Sequence, residues 1–410
     1  MKLFWKNRSE PAVRNNPMWR DMYEGGGGSL NLAAAISSEL ARLVTLEMKS
    51  RIYGSERAEF INGAYQDVIK NAYNFCETAC AIGGVVLKPY INGDRIMTAY
   101  LPQDAVKITA VGADGSIRGA EFYESLERNG VVYKKCEEHT LTPEGIIIKN
   151  SVYKDGGRKT PIQLSDVSEW ADIEPEVRIE GVSEPLFSYF RMPFINTADM
   201  ESPLGAPVFS RADKLIGDAQ RQYERILWEF ESGERALYLD ETAVRRNIRG
   251  EIQLPDKRLY RLLNTGNDEL FCDWTPEIRD EALINGFERI LQRIEFNCGL
   301  AYGTLSDPQT VDKTAEEIRS SKQRSYATVT QIQRALKEAL CGWACAANML
   351  CGIYALAPEG KYKLDIMFDD SIIADRATEF SERMELLKEG VISRDEMRSW
   401  YLGENEGGSI

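Results

Sequence analysis

Between Leu30 and Lys49, the apolar residues Leu32, Ile36, Leu40, Leu43 and Leu46 recur at steps of three and four, which predicts an amphipathic helix. Arg57–Ala81, with Phe60, Ala64, Val68, Tyr73 and Phe75, predicts a second. From Gly83 the pattern changes. GGVVLKPYING, RIMTAYL, AVKITAV, IRGAEFYESL, VVYKKCEEHTL and GIIIKNSVYK are short β-branched and aromatic runs bounded by Gly, Asn, Asp or Pro. They predict antiparallel strands and hairpins, with turns at Ala113-Asp114-Gly115 and Arg128-Asn129-Gly130. Between Thr160 and Asn196, the prolines of PEVRIEGV and PLFSYFRMPF place them at edges and in loops.

After Leu204-Gly205-Ala206-Pro207 a helix is predicted from Arg211 to Ser232, with Ser210 as its N-cap and Gly233 at its end. Leu215, Ala219, Tyr223, Ile226, Leu227 and Phe230 form its apolar face. Short strand-like pieces follow between Glu234 and Pro276: RALYLD, GEIQLP, RLYRLL and ELFCDW. A further helix, Glu277–Asn297, carries Ile284, Phe287, Ile290, Leu291 and Ile294 on one face. The turn-rich Tyr302–Pro308 then leads into a charged helix starting near Val311–Lys313. Its continuation, Ala339–Pro358, has no charge over 20 residues, a length that could span a bilayer. Its richness in Ala, Gly, Cys and Asn, in place of Leu, Ile and Val, marks it as a buried core helix. YKLDIMFD predicts a strand, and Ala374–Glu389 and Arg394–Leu402 predict helices, the last with a Ser393/Glu396 capping box. The fold class is α+β. The two long helices around a small β module form a stalk with a tip. Their apolar faces call for neighbours, from this chain or from identical chains.

Composition narrows the function. The chain has 410 residues, a net charge of −14 and one histidine. Affinity for free nucleic acid comes mainly from Lys and Arg on phosphates, so a sequence-specific DNA binder is not expected. An acidic wall past which DNA slides without sticking is compatible with this charge. The eight cysteines form no C-x-x-C pair. Cys76/Cys80 and Cys341/Cys345, four apart, read as small buried side chains on helix faces, with thiols reduced and no metal bound. The start, MKLFWKNRSEP, lacks the apolar core of a signal peptide. It reads as a loose arm, joined through Gly25–Gly28 as a linker.

Chemistry is hard to find. No glycine-rich phosphate loop and no Gly-x-Ser-x-Gly elbow occurs. His139 alone makes a weak triad member. Among 64 acidic residues, close acidic pairs are expected as solvated faces. Asp365, Asp369 and Asp370 are the faint candidates for a two-metal nuclease, against a plain reading as a strand ending in a polar turn. Lys313, Arg319, Lys322 and Arg324 alternate with Glu316 and Glu317. They read as a solvated helix or as an edge touching phosphates nonspecifically.

GLAYGTLSDPQTVDKTAEEIRSSKQRSY and LLKEGVISRDEMRSWYLG resemble segments of the portal proteins of tailed bacteriophages, and the order of elements from about Leu30 onward is similar to theirs. The resemblance implies a flexible N-terminal arm (1–29), a β-rich wing (30–204), paired stem helices (205–233 and 277–299) and a small β clip (234–276). It further implies a tunnel loop (300–312), a long helix with a return strand of the wing (313–370) and a short helical crown (371–410). It implies a ring of about twelve subunits at one capsid vertex, through which double-stranded DNA passes nonspecifically during packaging and ejection. The implied partners are the terminase, the major capsid protein and scaffold, and the head–tail connector protein, with no membrane. Assembly would occur in the host cytoplasm and the final location would be the virion. No enzyme activity and no cofactor is implied, since a separate terminase supplies the energy. Thr304, Ser306, Asp307, Gln309 and Lys313 are then expected to face the channel. Leu215, Tyr223, Ile226, Phe230, Phe287, Ile290 and Ile294 are expected at subunit interfaces along the stem, and Leu237, Leu239, Leu259 and Leu262 at the partner-binding clip. Two alternatives stay open: a metal-dependent nuclease using the Asp365–Asp370 end, and another self-assembling, capsid-associated scaffold.

Overall fold

The computed structural model describes residues 17–25, 28–113, 115–155, 159–234, 236–240, 249, 260–263, 271–274, 277–308, 315–368 and 376–402. The architecture is α+β. Its main core is helical: α2 (Leu32–Thr45), α3 (Glu56–Lys70) and α4 (Ala72–Ile82) pack with the long α7 (Ala315–Ile353). Ile36, Leu40, Ile61, Tyr65 and Trp343 are fully buried there. The helix predicted over 57–81 is two helices. The chain breaks at Asn71, whose side-chain amide donates to the Asp67 carbonyl and whose backbone N–H turns to Val68. The expected loose arm contains a short helix, α1 (Pro17–Tyr23), held by the buried Trp19 and by Arg20, which forks onto Asp104.

Two antiparallel sheets follow. β2 (Gly84–Asn92) lies between β10 (Ser188–Arg191) and β3 (Arg95–Pro102). The larger sheet runs β4 (Val106–Val111), β5 (Ile117–Arg128), β6 (Val131–Thr142), β7 (Gly145–Asp155) and β8 (Lys159–Ile162). β9 (Glu176–Glu180) pairs with the first half of β7, and β8 with the second half. Asn129 and Gly130 join β5 to β6, both at positive φ (53° and 74°), as a two-residue primed turn requires. Val86, Leu101, Phe122 and Phe187 fill the space between the sheets.

Where α4 gives way to β2, the segment that leads toward the next helix crosses it tightly. A Cβ on Gly205 would collide with the Gly83 carbonyl, and one on Gly83 would collide with the Gly205 carbonyl. The buried Gln103 amide donates to the carbonyls of Ile82 (2.6 Å) and Gly205 (3.1 Å) and accepts from the Tyr189 hydroxyl (2.7 Å). From this weld the chain enters α5 (Asp213–Ser232), which packs antiparallel on α6 (Asp280–Cys298). Glu229 takes a fork from Arg279 at one end of the pair, Tyr223 meets Phe287 in the middle, and Asn297 reaches the Arg211 carbonyl at the other end. Ser210 is not the N-cap. It is buried in a preceding tight turn, and Ala212 takes the cap position without a side-chain bond. Between α5 and α6 lies a small sheet in which β11 (Ala236–Asp240) is parallel to β12 (Tyr260–Leu263) and antiparallel to β13 (Phe271–Trp274). GEIQLP lies outside the described residues.

α7 has 39 residues, about 58 Å at 1.5 Å per residue. Its uncharged part is core: Leu340, Trp343, Ala344, Ala347 and Cys351 are buried. Small residues allow close packing, since a Cβ on Gly342 would lie 2.6 Å from Ser188 Oγ, whose hydroxyl donates to the Ala339 carbonyl at 2.7 Å. Among the described residues, no helix is long and apolar enough to cross a membrane. β1 (Lys49–Tyr53), which lies between the two predicted helices where the sequence pattern predicts no element, pairs antiparallel with β14 (Lys363–Met367). α8 (Arg376–Lys388) and α9 (Arg394–Leu402) are the last elements among the described residues, and the Ser393/Glu396 capping box is formed in both directions (2.6 and 3.1 Å).

Candidate functional site: a loop clamped onto a helix end

α6 ends at Cys298, and Gly299 takes the left-handed conformation (φ 70°) that stops it. A side chain there would run into Thr328 of α7, so this glycine also lets the two helices approach closely. The chain then turns through 300–308 over a buried carboxylate. Glu295 Oε1 accepts the backbone N–H groups of Gly303 (3.1 Å), Leu305 (2.6 Å) and Ser306 (2.9 Å). Its Oε2 accepts the Ser306 hydroxyl at 3.0 Å. Two turns further back on the same stripe, Glu288 Oε2 accepts the Asp307 N–H at 2.9 Å. Glu295 is fully buried. A carboxylate out of water is costly unless donors surround it, and here the N–H groups of 303, 305 and 306 converge on it, while the Thr304 N–H turns to the Ala301 carbonyl. Arg324 of α7 stacks on both sides of the junction, 4.3 Å from the Phe296 ring and 5.6 Å from the Tyr302 ring.

The expected channel residues divide. Thr304 and Asp307 are exposed. Ser306 is buried, its hydroxyl occupied by Glu295, and so drops out of the set available to a passing polyanion. Gln309 and Lys313 lie outside the described residues. Of the expected stem-interface residues, Ile226 and Ile294 are buried within the chain, so they have no surface to offer a neighbour. Leu215, Tyr223, Phe287 and Ile290 are half-buried, and Phe230 is 44% exposed. Large apolar side chains left uncovered on the same pair of helices are Leu227, Trp228, Ile284 and Phe296. In the small sheet, Leu237 and Leu239 are half-buried on β11, Leu262 lies on β12, and Leu259 is outside the described residues.

Glu288 and Glu295 escaped the sequence reading. A signal was present: Glu295 falls four after Leu291 and three before Cys298, within the buried face of α6. A carboxylate at a core-facing position demands a partner. Asp365 sits in β14 with its backbone paired to Arg51, and its carbonyl accepts the Ser50 hydroxyl. Asp369 and Asp370 lie outside the described residues, among which no group of three or more metal-ligating side chains gathers. Cys76 and Cys80 are buried as expected, whereas Cys341 faces outward and Cys345 is half-buried, because α7 packs its other side into the core.

A second polar centre lies between the two sheets. Glu137 Oε1 bonds both Lys88 Nζ and His139 Nε2, each at 2.6 Å. His139 is buried edge-on against Phe122 and Phe187, and its Nδ1 has no partner among the described residues. Burial pushes the imidazole below its ordinary pKa, against the pull of Glu137. Desolvation alone would raise the Glu137 carboxyl, but the charge of Lys88 and the bond from His139 outweigh it and hold it well below the usual carboxylate range.

No protein-family profile matches the chain, and no curated protein matches it. Among solved structures, one similar chain carries the description "Neck of native GTA particle computed with C12 symmetry". It is 13% identical, with a TM-score of 0.41, and the match covers 95% of this chain and 94% of that one.

Proposed function

We propose that this chain is a portal subunit: one copy in a ring of about twelve, set at a capsid vertex, through which double-stranded DNA is packaged and released. The observation that supports this most is the arrangement around the loop. A helix hairpin carries a small sheet between its two helices and leads, through a clamped polar loop, into a 39-residue helix with one side packed into the main core. This order supports a reading of the parts as stem, clip, tunnel loop and long helix. A channel part needs stiffness and a non-adhesive surface, and no reacting group. Thr304 and Asp307 offer a polar, partly acidic surface to a duplex, in keeping with the net charge of −14. The uncovered Leu227, Trp228, Phe230 and Ile284 fit neighbours packed around the stem. The small sheet would meet the terminase during packaging and the head–tail connector afterwards.

The test is packaging in vitro. Heads assembled with this chain should protect DNA from nuclease when terminase and ATP are supplied, and heads assembled without it should not. Equal protection in both, or metal-dependent DNA cleavage by the purified chain that is lost on Asp365→Ala, would overturn the proposal.

A further inference from the structure

We infer that Glu295 is a positioning residue that fastens the 303–307 segment to α6, so that the loop follows the stem helix and not α7. The geometry is lopsided. Toward α6, the loop gives five directional hydrogen bonds to two carboxylates on one helix, four to Glu295 and one to Glu288. Seven residues apart, these glutamates lie on the same stripe of the helix, at two heights. Toward α7, among the described residues, Arg324 stacks on Tyr302, and Leu300 and Leu305 belong to the apolar cluster that includes Val329 and Ile332, contacts without directional bonds. Ring stacking has little directional demand and tolerates sliding, whereas three N–H groups converging on one oxygen do not. A tilt or shift of α6 therefore carries Thr304 and Asp307 with it. The bearing of this clamp on DNA passage rests on the portal reading, but the clamp itself does not.

Amide hydrogen exchange on the purified full-length chain tests the clamp directly. Bonds to a charged acceptor are the stronger kind, so Glu295→Gln should speed exchange at 303, 305 and 306 about tenfold. Glu295→Ala should speed it further, with Gln as a partial rescue because it keeps an acceptor oxygen. Glu288→Gln should affect 307 alone. Amides in the core of α3 and α4 should stay unchanged, which separates a released loop from general unfolding. Arg324→Ala should leave 303, 305 and 306 protected. Unchanged exchange at those amides in Glu295→Gln, or equal release by Arg324→Ala, would overturn the assignment to α6. Should the alanine variant fail to fold, the glutamine variant decides. In the packaging assay, Glu295→Gln rings of normal mass should translocate DNA more slowly, and a normal rate would overturn the link to DNA passage. If wild-type heads do not package at all, the portal reading fails while the exchange data still decide the clamp.

Discussion

Lys88 and His139 share a single oxygen of Glu137, and the chain's one histidine is therefore a stability switch whose sign can be worked out. Burial lowers the imidazole in the folded state, so the unfolded chain takes up the proton first. Stability is full above the unfolded value, about 6.5, and falls as pH drops from there toward the depressed folded value. Glu137 acts in a lower window. Its contribution is present above about 4.3 and is lost as pH falls through its own depressed folded value. Melting temperature measured from pH 7.5 to 5 should fall more steeply for the wild type than for His139→Gln, and parallel curves would contradict the assignment. Little of this was legible in the sequence, where His139 reads only as a histidine on a strand. Its partner on β6 is two residues away, but Lys88 arrives from another sheet, and no local pattern announces that meeting. Glu295 is the opposite case. Its place on the buried face of α6 was readable, and its partners in the following loop lie within reach in the chain.

Elements were readable where their hydrophobic period is long and their contacts local. α2, α5, α6 and the hairpins β2–β3 and β5–β6 stand where their periodicity and turn residues put them. The exceptions share a cause, which is a partner distant in sequence. β1 exists because β14 pairs with it, as in the bond from Ser50 to the Asp365 carbonyl across 315 residues. α1 is ordered by Asp104, and β11 is parallel to β12, a pairing that no hairpin signal foretells. The crossing of Gly83 with Gly205 belongs to the same class. Gly205 is not in the left-handed region, yet its backbone lies so close to Gly83 that no side chain fits. Because the obstruction is backbone, it cannot swing away. Gly205→Ala should lower unfolding free energy by about 2 kcal/mol in chemical denaturation. A change within about 0.5 kcal/mol would mean that the crossing is looser than these contacts require.

At the scale of the molecule, the α5–α6 pair keeps apolar side chains in water that its own core does not need. Trp228 is 62% exposed, and Leu227 and Phe230, three apart on another stripe of the same helix, are exposed as well. Replacing such a residue should leave the isolated chain's stability within about 0.5 kcal/mol, since little contact is lost. Its effect should fall on assembly. Trp228→Lys is expected to unfold like the wild type in denaturant while failing to form large particles, and a variant that assembles normally would remove this face from the interface. The most direct measurement is negative-stain electron microscopy of the purified full-length chain, with mass photometry on the same sample. A channelled ring of about a dozen copies, with a stalk on one side, is the predicted result. A monomer at every concentration, or a shell or filament without a central hole, would contradict it.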